Sequence, residues 1–104
     1  MSAPGPVTRP VLARVDEAVR SARNPISTHS VALWASRALP GGLTLADARD
    51  ALITLQAVGR VQQMPWGLWE PRTDIVEITD EAERTYEEGR AARRLREVWE
   101  PPFR

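Results

Sequence analysis

From Val11 onward the apolar side chains recur every three to four positions. Val11, Leu12, Val15, Ala18, Val19 and Ala22 fall on one face of a helix, with Arg14, Asp16, Glu17, Arg20 and Arg23 on the other. Asn24-Pro25 ends that helix, and Ser27 and Thr28 offer N-caps for a second one over roughly 28–39, whose buried positions are Val31, Ala32, Ala35, Ala38 and Leu39. Pro40-Gly41-Gly42 is a turn. Thr44-Leu-Ala-Asp47 then has the form of a capping box, which predicts a third helix with the stripe Leu45, Ala48, Leu52, Leu55 and Val58, stopped by Gly59.

Past Gly59 the period changes to two. Residues 60–64 and 74–79 both alternate, which predicts two strands of a hairpin joined by a long tip over 65–73. Thr79-Asp80 opens a last helix, with Asp80 paired to Glu83 at the box spacing, and Ala82, Tyr86, Gly89, Ala92, Leu95 and Trp99 mark one face until Pro101. The first ten residues hold three prolines and a glycine with no apolar periodicity. The expectation is an α+β chain: a tail over 1–10, a domain over 11–86 with a three-helix core and a hairpin, and a helical extension and tail over 87–104.

Leu55-Gln-Ala-Val-Gly-Arg-Val61, followed by a hairpin and by Val76-Glu-Ile-Thr-Asp-Glu-Ala82, resembles the L-x-x-x-G-x-V, wing, L-T-x-x-G segment of the MarR-like and PadR-like bacterial regulators. The likeness covers about residues 26–86. It implies a winged helix-turn-helix fold and a sequence-specific, DNA-binding transcriptional regulator whose third helix enters the major groove. Carried across, the exposed positions of that helix are Ala46, Asp47, Arg49, Asp50, Ile53 and Thr54, with Thr44 at its start and Arg72 on the wing. Arg37, Arg49 and Arg60 form the expected phosphate-contacting edge, supplemented by Arg20 and Arg23. The chain departs from the family in placing two aspartates and a single arginine where Ser, Thr and Arg are usual. Related regulators dimerise through terminal helices, so the resemblance also implies a homodimer, with double-stranded DNA as partner.

Charge sharpens this picture. All 14 cations of the 104 residues are arginine and are balanced by 14 acids, which counts against a strong non-specific nucleic-acid binder. Residues 74–88 carry seven acids against Arg84, whereas residues 89–96 carry Arg90, Arg93, Arg94 and Arg96 against none. Two such helices packed antiparallel set acid against arginine, with Tyr86, Gly89, Ala92, Leu95 and Trp99 as the apolar seam.

The wing region concentrates Met64, Trp66, Leu68 and Trp69, an apolar group that suggests a protein contact, with Trp69 expected to be structural and Trp66 exposed. This supports an alternative reading: a protein-interaction module, or an accessory subunit of a larger assembly such as a phage particle. Cysteine is absent and His29 is the one histidine, so no Cys/His zinc site is expected. No nucleophile or phosphate-loop motif is present, so neither catalysis nor a cofactor is expected. The longest apolar run covers only residues 31–35, and with no cysteine framework the expected location is the cytoplasm, away from a membrane.

Overall fold

Three helices converge on one apolar interior because each carries its hydrophobic residues at helical spacing. In a computed structural model, which describes residues 10–73 and 75–98, these are α1 (Val11–Ser21), α2 (Thr28–Ser36) and α3 (Leu45–Val58). They are followed by β1 (Val61–Gln63), β2 (Trp69–Pro71) and the long α4 (Asp80–Val98), giving a small α+β globule with a two-stranded antiparallel hairpin. The interior is built from Val11, Leu12, Val15, Ala18 and Val19 of α1, Val31 and Ala35 of α2, and Ala51, Leu52 and Leu55 of α3; Val61, Trp69 and Tyr86 close it. The tail expected over 1–10 lies outside the described residues, apart from exposed Pro10.

Local chemistry sets the helix ends. Ser27 Oγ accepts from the Ser30 N–H, and Thr44 Oγ1 accepts from the Asp47 N–H, so α2 and α3 begin at their expected caps. The second helix ends at Ser36, earlier than expected. Ser36 Oγ clasps the far side of the turn, accepting from the Leu43 N–H at 2.9 Å and donating to the Leu43 carbonyl at 3.1 Å, while Gly41 and Gly42 hold φ of 82° and 75° between them. Gly59 ends α3 in the left-handed conformation, its N–H donating to the carbonyls of Gln56 and Leu55.

Pro10 gives α1 no side-chain cap, and a residue from the other end of the chain supplies one. Glu83 accepts from the N–H groups of Leu12 and Ala13 at 3.1 and 3.2 Å, so it caps α1 and not its own helix. The α4 cap is Thr79, whose Oγ1 accepts from the Ala82 N–H. Burial pushes the Glu83 carboxyl above its ordinary 4.5, with Glu87 and Asp80 adding to the rise against the two N–H donors.

The hairpin corrects the expected strands. Val61 pairs with Pro71, Gln62 with Glu70 and Gln63 with Trp69, so the second strand is residues 69–71 and the segment 75–79 is not a strand. Two causes are visible. Pro65 and Gly67 make a tight turn, with the Met64 N–H on the Leu68 carbonyl, the Gly67 N–H on the Met64 carbonyl, and Gly67 at φ 87°. Further on, carbonyls that a strand would place in a ladder are taken by guanidiniums: Arg20 donates to Thr73 O and Arg60 to Val76 O. On its other edge Trp69 exchanges two backbone hydrogen bonds with Ile26, at 2.8 and 2.9 Å, so β2 lies between Ile26 and β1.

Trp69 is thus fixed three ways: it is 2% exposed, it is paired through its backbone on both sides, and its indole Nε1 donates to Thr28 Oγ1 at 2.9 Å. Trp66 at the tip is 82% exposed. Trp69→Ala is expected to cost about 3–5 kcal/mol in urea unfolding, and Trp66→Ala no more than about 0.5 kcal/mol. Equal losses from the two substitutions would contradict this assignment.

Candidate nucleic-acid interface

The helix on which the sequence placed its contacts, α3, has three faces. Ala48, Ala51, Leu52 and Leu55 turn into the core. Asp47 and Asp50 turn to α4, and Leu45, Ala46, Arg49 and Ile53 turn outward. Leu45 departs from the expected buried stripe and is 53% exposed, because it lies on the outward face of α3 with Ala46, Arg49 and Ile53, while Asp47 and Ala48 of the same turn are buried. Together with Thr28, Gln63 and Trp69, the outward residues Leu45, Arg49 and Ile53 line a groove of about 290 Å³ between α2, α3 and the hairpin.

Asp47 has no exposed surface, yet three arginines of α4 reach it. Arg93 Nη2 donates to Oδ1, Arg94 Nη2 donates to Oδ2 at 3.0 Å, and Arg90 Nε lies 3.4 Å from Oδ2. Arg93 also bonds Asp50 Oδ2 at 2.9 Å, and the Tyr86 hydroxyl donates to the Asp47 carbonyl at 3.2 Å. Burial by itself raises the Asp47 carboxyl; hydrogen bonding with Thr44 and the charges of Arg90, Arg93 and Arg94 outweigh it and hold the pKa below its ordinary 3.8. Burial, with the Asp47 charge beside it, pushes the Tyr86 phenol up.

The α4 arginines have partners within the chain. Arg90, Arg93 and Arg94 pair with acids of α3. Tyr86, expected on an outer seam, is buried in the chain's own core. Leu95 is 60% exposed, and Trp99 lies outside the described residues. The signal in the sequence was the matched spacing: two acids three apart at 47 and 50, and arginines three apart at 90 and 93.

A second buried carboxylate works at the base of the hairpin. Asp16 accepts from Arg60 Nη2 at 2.6 Å, from Arg60 Nε at 3.2 Å and from Arg20 Nε at 2.8 Å. Two of the arginines expected at a phosphate edge, Arg20 and Arg60, are therefore engaged inside the protein. Arg37, Arg49 and Arg72 are exposed, and their side chains make no hydrogen bond or ion pair among the described residues; the same holds for Arg23. The Thr44 hydroxyl is occupied as a cap, and Ala46 is open to solvent. No family model, curated protein or solved structure matches the chain. No helix among the described residues is long and apolar enough to cross a membrane.

Removing the Asp47 charge leaves three guanidiniums facing one another. Asp47→Asn is expected to lower stability by about 2–3 kcal/mol, below the loss for a fully buried pair because the arginines are partly hydrated. The sign of the pH effect follows from the depressed pKa. The Asp47 contribution is fully present above the unfolded value near 4 and is lost as pH falls through the lower folded value. Denaturant unfolding between pH 7 and pH 2.5 is expected to show a smaller acid loss in Asp47→Asn than in the wild type; parallel curves would contradict it.

Proposed function

We propose that the chain is a winged helix-turn-helix domain that binds duplex DNA as a transcriptional regulator, with α3 in the major groove and the hairpin as the wing. The order of helices and hairpin supports the fold, as does the placement of β2 between Ile26 and β1, which adds a short third arm to the hairpin. The observation that carries the function is the disposal of negative charge on α3. Two aspartates next to phosphates are repulsive, but Asp47 is enclosed and Asp50 is neutralised by Arg93, so the outward face carries Arg49 as its one charged group. Arg37, Arg49 and Arg72 are among the exposed cations open for phosphate or base contact. In this reading the exposed Leu95 is the part of the terminal helix that meets a second copy.

One observation favours a second reading, a module that docks a protein partner in the cytoplasm. The tip indole of Trp66 and the half-exposed Leu45 and Ile53 offer apolar anchors of the kind that carry protein interfaces.

Fluorescence anisotropy with a labelled duplex over a salt series separates the readings. The wild type is expected to bind at low salt, and Arg37→Ala with Arg72→Ala is expected to weaken it and reduce the slope of log K against log salt by about 2, one unit per lost phosphate contact. Absence of duplex binding at low salt would overturn the DNA reading in favour of the protein module.

A further inference from the structure

We infer that the outer face of α3 reads a guanine flanked by thymines in the major groove, an inference that rests on the DNA-binding reading above. Leu45, Arg49 and Ile53 stand at i, i+4 and i+8 of one helix and line one groove, so they form a single row spanning about 12 Å, the rise of three to four base pairs. The chemistry of the row is specific. Arg49 is exposed and makes no hydrogen bond or ion pair among the described residues, which leaves its planar fork able to donate two parallel hydrogen bonds to guanine O6 and N7. Leu45 and Ile53 on either side have nothing to offer a phosphate, but they match the 5-methyl group of thymine. Each is about half exposed, 53% and 49%, so a methyl partner removes apolar surface from water.

The same geometry disfavours cytosine. A carboxylate on a recognition helix accepts from cytosine N4, and α3 has two, but Asp47 is enclosed by Arg90, Arg93 and Arg94 while Asp50 is bonded to Arg93. The ion-pair cluster between α3 and α4 therefore leaves the row of Leu45, Arg49 and Ile53 as the reader.

The test uses the full chain and a pool of randomised duplexes selected at low salt, followed by affinity measurements on the enriched site. A guanine with thymines within one or two positions is expected. Replacing that guanine by 7-deazaguanine, which lacks N7, is expected to weaken binding about tenfold, and replacing the thymines by deoxyuridine, which lacks the methyl, about threefold. Arg49→Lys keeps the charge and loses the planar fork, so it is expected to reduce the guanine preference while leaving the salt slope within about half a unit. Duplex binding with no enriched guanine, or with no penalty from either base analogue, overturns the base preference and leaves the DNA reading standing. No duplex binding at all overturns both.

Discussion

A carboxylate with no exposed surface is tolerated in a chain of this size only because cations surround it, and Asp47 is the point on which α4 is fastened to the rest of the protein. Taking the charge out of water is costly, and Arg90, Arg93 and Arg94 together with Thr44 offset that cost. The contact is also directional. Because the guanidiniums come from successive turns of α4, they fix both its position along α3 and its rotation, and Tyr86 adds an apolar ring and a hydrogen bond to the Asp47 carbonyl. What α3 shows to solvent follows from this: its acids point at α4, and its outer face holds Leu45, Ala46, Arg49 and Ile53.

Asp16 plays the matching part for the hairpin. It gathers Arg20 and Arg60, which in turn hold the carbonyls of Thr73 and Val76, so the chain leaving β2 is led to α4 by side-chain bonds and not by a strand ladder. Glu83 then ties the start of α4 to the start of α1. Three acids distant in sequence from their partners thus join the two ends of the fold and the hairpin between them.

Much of the helical framework was legible because it rests on local rules. The caps Ser27 and Thr44, the stop at Gly59 and the apolar stripe of α1 depend on residues within a turn or two of one another. The hairpin was misplaced because alternation at 74–79 outweighed the turn chemistry of Pro65 and Gly67, and because only tertiary contact reveals that Arg20 and Arg60 take those carbonyls. The roles of Asp16, Asp47 and Glu83 span 44 to 71 residues of sequence and have no local signature; each looked like a surface or capping residue. For the candidate site, Arg49, Ile53 and the exposed Trp66 were legible, while the neutralisation of Asp50 and the exposure of Leu45 were not.

The central claim is that α3, relieved of its negative charge by α4, presents the face that meets DNA. The most direct measurement is a map of amide chemical-shift changes when an unlabelled duplex is titrated into isotopically labelled protein at low salt. The account predicts that the changes concentrate on Thr44 and residues 45–53 of α3, on Thr28 and His29 at the start of α2, and on the hairpin from Gln63 to Pro71 with Arg72 after it. Changes confined to the outer surface of α4, or none across α3 while the duplex is in excess, would contradict it.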